Sequence, residues 1–421
     1  MCGINGIINH RDKLFAEKTV NTMNVSMKHR GPDDAGVFVN ENIAFGHRRL
    51  SIIDLSKLGH QPMSSNDNSV TTVFNGEIYN YKSLKKQLDY PFKSNTDTEV
   101  ILAAYLKWGI DFIHKLDGMF AIALYDHRIQ TTYLIRDRLG VKPLYYHVKD
   151  NYTCLFSSEL RSLLETGMVT KTINQHALID YLTFQTTLGV QTLIEGVVSL
   201  EPGNYLKIDE KSIVKYQFWD INNKNNNNDS YKTSTSKIKN LLYDSVQKRL
   251  ESDVPLAAFL SGGIDSSAIV GIMSDIGVTA NTFNINFDES DFSESIYATL
   301  VANKFKTNHT EVLIKSNEFI GLVPEAIMKM DVPSSDGVNT YAVSKATKNA
   351  GITVALSGVG SDEWFAGYPV FKFIHENKNK NYRLIPHWLR KCLHSTFISI
   401  KNNDNKKLEL LASDLQNENL Y

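Results

Sequence analysis

Little in this 421-residue chain suits a disulfide scaffold, a membrane span or a polyanion binder. Cysteine is scarce: Cys2, Cys154 and Cys392 are too few and too widely spaced for a disulfide framework or a zinc site. No apolar run approaches the roughly 18 residues of a transmembrane helix. The amino terminus lacks the basic-then-apolar order of a secretory signal. Charge is balanced, 45 Lys+Arg against 46 Asp+Glu, so neither nucleic acid nor a membrane is an expected partner. Together these absences predict a reducing, cytoplasmic setting in which a free thiol survives. The 42% apolar and 22% charged composition is that of a globular protein, and the length calls for two or three domains.

What is present begins at the second residue. Met1 precedes a small residue and is expected to be removed, leaving a thiol and an α-amine together on Cys2. The thiolate is the nucleophile, and the amine, with an ordinary pKa near 8, is a base within reach of it.

Short β-rich runs follow at Gly3–Asn9, Asn42–Ile53, Val70–Asn75, Gly118–Tyr125, Thr131–Ile135 and Tyr152–Ser157. Helices are predicted at Asp97–Trp108, with Val100, Ile101, Ala104 and Tyr105 on one face, and at Glu159–Leu164. Sheets faced by helices make the first 200 or so residues an α+β layered domain. The polar stretch Asn222–Asp229 reads as a linker. Beyond it strands and helices alternate: Pro255–Leu260 then Asp265–Ser274, Thr279–Phe287 then Ser293–Lys304, Ile352–Leu356 then Ser361–Tyr368. That order predicts an α/β parallel sheet, with ligands at the carboxyl ends of its strands.

Two loops follow such strands. Leu260-Ser-Gly-Gly-Ile-Asp-Ser-Ser267 combines glycines, hydroxyls and a helix start, equipment that suits phosphate; Asp265 adds a carboxylate for Mg²⁺. It is not a Walker A loop, because no Gly-Lys-Ser/Thr follows. The plainer reading is a glycine turn capped by Asp265. Ser357-Gly-Val-Gly-Ser-Asp-Glu363 repeats the arrangement, with Asp362 as its carboxylate, and the two loops are expected to converge on one nucleotide.

The chain from Cys2 to about Tyr368 resembles the glutamine-hydrolysing asparagine synthetases. The stretches that carry the resemblance are Met1-Cys-Gly-Ile, Arg30-Gly-Pro-Asp33, His47–Asp54, Asn75-Gly-Glu-Ile-Tyr-Asn80, Asp97-Thr-Glu99, Asp117–Ala121, Arg136–Tyr145, Ser158-Glu159 and the two loops. The resemblance implies a class II amidotransferase domain over residues 1–215, an N-terminal-nucleophile αββα sandwich. A linker at 216–235 and an asparagine synthetase-type ATP-binding domain over 236–421 would follow. Cys2 would attack the side-chain amide of glutamine, with Asn75 and the Gly76 N–H as oxyanion hole. Arg49 would pair with the substrate carboxylate and Asp97 with its ammonium, Glu77 supporting, and Leu50, Ser51, Ile52 and Ile53 would complete the pocket. Each has a plainer alternative: a surface ion pair for Arg49, a hairpin turn for Asn75-Gly76, an N-cap for Asp97. In the second half Leu260, Ser261, Gly262, Gly263, Asp265, Ser266, Ile285, Ser357 and Gly358 would hold ATP. Asp265 and Asp362 would hold Mg²⁺ through the phosphates. Ammonia would travel inside the protein to a carboxylate activated as an acyl-adenylate.

Two departures stand out. Val359 occupies a position where the asparagine-forming members carry Glu, and Asp331–Tyr341 lacks their arginine. Members also continue further and supply a later lysine, for which Asn377–Tyr421 holds no matching segment; the chain is expected to be truncated. Aspartate is the leading acceptor, a sugar uronic acid the alternative, and a glutaminase or binding protein with an incomplete synthetase half the non-synthetic reading. A homodimer is left open.

Overall fold

A computed structural model describes residues 1–150, 153–221, 228–287, 294–334 and 336–378. Its strands in the first half are β1 (Gly3–Ile8), β2 (Asp34–Val39), β3 (Ile43–Arg49), β4 (Met63–Ser64), β5 (Val70–Ile78), β6 (Gly118–Asp126), β7 (Thr131–Arg136), β8 (Tyr145–Val148), β9 (Cys154–Ser157), β10 (Val197–Ser199), β11 (Asn204–Ile208) and β12 (Ile213–Gln217). The helices are α1 (Lys13–Ser26), α2 (Tyr81–Lys85), α3 (Asp97–Trp108), α4 (Leu160–Glu165) and α5 (Gln175–Phe184). Two six-stranded antiparallel sheets result, ordered β10-β8-β9-β1-β3-β2 and β12-β11-β7-β6-β5-β4.

Alternation along the strands explains the layering, since successive side chains point to opposite faces. Ile4, Ile8 and Phe45 from the first sheet meet Val73, Ala121, Ala123 and Leu134 from the second. Their neighbours point outward. Ile7, Ala44 and Leu155 pack on Ala16 and Val20 of α1 and Leu163 of α4. Phe74, Phe120 and Ile122 pack on Val100, Ile101 and Ala104 of α3. The order is helix, sheet, sheet, helix, the αββα sandwich the resemblance implied.

Two strands end well away from expectation, the other limits shifting by only a residue or two. β3 stops at Arg49 rather than Ile53, and the chain then turns at Asp54, whose φ is 55°. β5 runs unbroken through Asn75 and Gly76, so the hairpin alternative does not hold. Gly76 pairs with Phe120, where a Cβ would lie 2.2 Å from the Met119 carbonyl oxygen.

The second half begins with α6 (Tyr231–Lys248). There follow β13 (Leu256–Phe259), α7 (Ile264–Asp275), β14 (Asn281–Phe287), α8 (Ser295–Phe305), β15 (Asn308–Ile314), α9 (Ser316–Lys329), α10 (Gly337–Asn349) and β16 (Val354–Leu356). The strands form a parallel sheet in the order β15-β14-β13-β16. Met1–Ser357 is one compact unit; a second starts at Gly358 and carries α11 (Ser361–Phe365) and α12 (Pro369–Lys378). Residues 222–227 of the expected linker, Cys392 and the tail beyond Lys378 lie outside the described residues. Among the described residues no helix is long and apolar enough to cross a membrane.

Gly6 lies in the middle of β1, where a Cβ would sit 2.5 Å from the Phe156 ring and 2.6 Å from the Ala44 carbonyl oxygen. Gly6→Ala is expected to cost about 1–3 kcal/mol, read as a lower denaturation midpoint at unchanged slope.

Candidate active site

β1 and β3 end side by side, with Gly3 opposite Arg48, so Cys2 lies one residue beyond the pairing and meets the chain leaving β3. The Leu50 amide donates to Cys2 Sγ at 3.4 Å, and the thiol donates to the Leu50 carbonyl at 3.6 Å. Asp33 fixes that stretch: its N–H donates to the Arg49 carbonyl at 3.0 Å and its Oδ2 accepts from Ser51 N at 2.8 Å. Arg30 Nε donates to the Cys2 carbonyl at 2.9 Å and Nη1 to Glu159 Oε1 at 3.1 Å; His29 shares that oxygen at 2.8 Å.

Arg49 is buried and, among the described residues, makes no surface ion pair. Its guanidinium donates to the carbonyls of Ser56 at 2.8 Å, Ile53 at 3.4 Å and Asp54. The fork therefore shapes the loop carrying Leu50, Ser51, Ile52 and Ile53. A Cβ at Gly59 would lie 1.9 Å from Arg49 Nη2, so only glycine admits the guanidinium there.

β5 supplies donors. Phe120 N and O both bond Asp137, so the Gly76–Phe120 pair turns its backbone groups away from one another. The N–H groups of Phe74, Gly76 and Ile78 consequently point to the other edge of β5. Phe74 N donates to Gln61 Oε1 at 2.7 Å and Ile78 N to Asp97 Oδ2 at 3.0 Å, and the Gly76 N–H lies between them. Asn75 is 1% exposed, and its Nδ2 has no hydrogen-bond partner among the described residues. Asp97 is not the N-cap of α3. Thr96 is, accepting from Glu99 N at 3.2 Å, which leaves the Asp97 carboxylate to face β5.

Burial governs the titrations. It pushes the Cys2 thiol up, against the opposing Leu50 N–H. It raises Asp97 to about 6, and Glu77 to about 7 with the nearby Asp97 charge adding to it. It lowers the N-terminal amine, carried here by Met1, to about 6, with Arg30 and Lys142 pushing the same way against Cys2. An amine lowered to that value is free at neutral pH to take a proton.

Sequence reasoning assigned no role to Asp33, Glu159 or Lys142, although all three lie inside quoted motifs. Lys142 is buried with its Nζ 3.2 Å from Met1 Sδ, and Cys2 and Glu77 are among the charges facing it. Asp137 aims it, accepting from Leu139 and Val141 N on Oδ1 and from Lys142 N on Oδ2.

In the second half Leu260, Ser261 and Ile285 line a cavity of about 670 Å³ with Phe283, Asn284 and Phe319. The loop that follows enters α7 with Gly263 as N-cap and no side-chain cap, so Asp265 is not the cap; it sits half-exposed in the first turn. Gly262 has φ 83°, and a Cβ there would lie 2.4 Å from Tyr297 Cβ, so it presses the loop onto α8. Ser261 Oγ lies 3.0 Å from Ser266 Oγ and accepts from Gly263 N at 3.2 Å. Ser357 follows β16, whose Leu356 pairs with Ala258, so it leaves the same end of the sheet as the first loop. Gly358 and Asp362 belong to the second unit, where the Asp362 carboxylate packs on Gly367 and its carbonyl accepts from Gly367 N at 2.9 Å. Among the described residues no group of three or more His, Cys, Asp or Glu could hold a metal alone. The single carboxylate of Asp265 beside the loop fits an ion bound chiefly by phosphates.

Residues 1–219 match the family model for a glutamine amidotransferase domain and residues 237–419 that for asparagine synthase. The chain is 38% identical over 394 residues to a protein provisionally named glutamine-hydrolyzing asparagine synthetase 2 of Methanocaldococcus jannaschii, covering 87% of this chain and 76% of that one. It is 35% identical to the glutamine-hydrolyzing asparagine synthetase 1 of Bacillus subtilis, covering 93% of this chain and 62% of that one. An amidase of Gibberella zeae is 32% identical, with 88% and 60% covered. This chain thus spans three-fifths to three-quarters of those relatives' lengths.

The raised carboxyls fix a pH dependence. Unfolded Asp and Glu titrate near 4. The stability these groups contribute is therefore whole below that pH and lost as pH rises through about 6 for Asp97 and about 7 for Glu77. Glu77→Gln does not titrate. The unfolding free energy of the parent relative to this variant should fall as pH rises from about 4 to about 7, measured by denaturant unfolding; a flat difference contradicts the raised Glu77.

Proposed function

The chain belongs to the glutamine-hydrolysing asparagine synthetase family, and from that premise we propose that it takes ammonia from glutamine at Cys2 and uses it to amidate a carboxylate activated by ATP. One observation supports the first half: Asn75 keeps a buried side-chain N–H with no partner among the described residues, and its neighbour Gly76 turns its N–H to the edge of β5 where Ile78 N meets Asp97. A buried donor without a partner is costly, and two fixed donors are what a tetrahedral oxyanion needs.

In this reading the amine takes the proton from Cys2, and Sγ attacks the amide carbon of glutamine. The proton passes to the departing nitrogen, ammonia leaves, and water hydrolyses the thioester to glutamate. Loss of Met1 brings the amine onto Cys2 itself. Asn75 and Gly76 hold the oxyanion, Asp97 and Glu77 meet the substrate ammonium, and Arg49 with Leu50–Ile53 frames its carboxylate. Residues 1–215 carry this site and 236–421 the second, joined through 216–235. There Leu260, Ser261 and Ile285 line the nucleotide cavity, and Gly262, Gly263, Ser266 and Ser357 serve the phosphates. Mg²⁺, held by Asp265 with the phosphates, would neutralise their charge. Adenylation gives the carboxylate a leaving group, which ammonia displaces with release of AMP. Aspartate is the favoured acceptor and asparagine the product, in a reducing cytoplasm that keeps Cys2 free.

A second acceptor has a specific observation behind it. Val359 is apolar and 92% exposed, and it can neither bind a cation nor act as a base. That favours another carboxylate, such as a sugar uronic acid.

Pyrophosphate release with ATP and glutamine should depend on aspartate; dependence on uronic acids alone removes the asparagine reading, and none with either leaves only the glutaminase. Asn75→Ala should lower glutamate release about a hundred- to a thousand-fold, and Cys2→Ala should abolish it while sparing any ammonia-dependent synthesis. Persisting glutamate release in Cys2→Ala removes the nucleophile assignment.

A further inference from the structure

The two halves of the chain share a helix start. Leu160 and Arg161 open α4, and their preceding residue, Glu159, makes no side-chain cap. The cap comes instead from Asp331, which follows α9 in the second half. Its Oδ2 accepts from Leu160 N at 2.7 Å and its Oδ1 from Arg161 N at 2.9 Å. Arg161 Nη2 returns a bond to the Met330 carbonyl at 2.9 Å. A carboxylate on the orphan N–H groups of a helix satisfies both hydrogen bonding and the helix dipole.

Freed from capping, Glu159 binds His29 and Arg30, and Arg30 holds the Cys2 carbonyl at 2.9 Å. The same stretch grips β1, with Ile4 N donating to Ser158 Oγ at 3.0 Å and Ser158 N to the Ile4 carbonyl at 2.9 Å. An unbroken series of contacts therefore runs from Asp331 through the start of α4, Glu159 and Arg30 to the backbone of Cys2.

We propose that Asp331 is a positioning residue for the thiol site, acting across the halves by fixing α4 and through it the Glu159–Arg30 hold on Cys2. The inference rests on the glutaminase reading for its kinetic readout, and the test therefore carries a second readout that does not.

The test uses the full chain and the variants Asp331→Ala, Asp331→Asn, Glu159→Gln and the Asp331→Asn/Glu159→Gln pair. Glutamate release is followed against glutamine concentration, and alkylation of Cys2 by iodoacetamide is followed against pH. Asp331→Ala should lower kcat at least about five-fold at nearly unchanged KM, and should shift the alkylation profile. Asp331→Asn keeps one acceptor oxygen and should fall between. In the pair the two losses should combine to less than their product, because both act through one series of contacts. Parental kcat and alkylation in both Asp331 variants overturn the inference, as do independent losses in the pair. If Asp331→Ala does not fold, Asp331→Asn and the pair decide. If the parent releases no glutamate, the glutaminase reading fails, while the alkylation profiles still judge Asp331.

Discussion

The register of β1 is the constraint on which the thiol site depends. β1 lies between β3 and β9, and it fits there because Gly6 has no side chain where the Phe156 ring and the Ala44 carbonyl approach. Ile4 and Ile8 fill the space between the sheets, and Ile7 fills the space under α1. A slip of one residue would exchange these sets and leave polar Asn5 in the inter-sheet core, so the register is strongly specified. With the register fixed, Gly3 sits opposite Arg48 and Cys2 can only meet Leu50. The position of the thiol is thus a consequence of packing several residues away.

Burial then gives the site its chemistry. A thiol taken out of water resists ionisation, so as a nucleophile Cys2 would need a base; the same burial lowers the amine that Met1 carries beside it. Asp97 and Glu77 are likewise pushed toward their neutral forms until a cation arrives to pair with them, which an α-ammonium would do. Of the cations already present, Arg49 bonds three loop carbonyls and Arg30 bonds Glu159 and the Cys2 carbonyl, while Lys142 faces Cys2 and Glu77. Few groups would have to reorganise if charge developed there, the condition under which fixed donors stabilise a transition state.

How far the sequence foretold this varied with the strength of local patterning. α3 matches its predicted span, because its apolar face is continuous and Thr96 caps it cleanly. The parallel sheet followed from alternation of apolar strands with helices. α1 was missed: it buries Ala16, Val20 and Met23 together with Thr19 and Asn24, and so thin an apolar stripe carries little periodic signal. β11 and β12 were missed because Lys207 and Lys215 interrupt short, half-exposed strands. Asn75, Gly76 and Asp97 were singled out through their motifs, yet what brings them to one edge of β5 is tertiary. The Gly76 N–H faces the Asp97 edge only because Phe120 spends its own backbone on Asp137. Glu159 was unassignable for the same reason, since its partner Arg30 is 129 residues away.

The two halves differ in how complete they are without a ligand. Around Cys2 most of the polar side chains already bond backbone groups or one another. In the Ser261–Ser267 loop the hydroxyls of Ser261 and Ser266 bond each other, and Ser267 Oγ is buried with no partner among the described residues. A site built from glycine backbone and helix-start amides is finished by the anion it receives. The thiol site, in turn, is not finished by its own half. Asp253 N donates to the Ile52 carbonyl at 3.0 Å and Asp253 Oδ2 accepts from Asp54 N at 2.8 Å, so an acidic residue just before β13 holds the loop that frames Cys2. Asp331 holds α4 behind Arg30. The second half therefore grips both the loop after β3 and the helix that anchors Arg30, and the geometry at the thiol is a property of the two halves joined rather than of the sandwich alone.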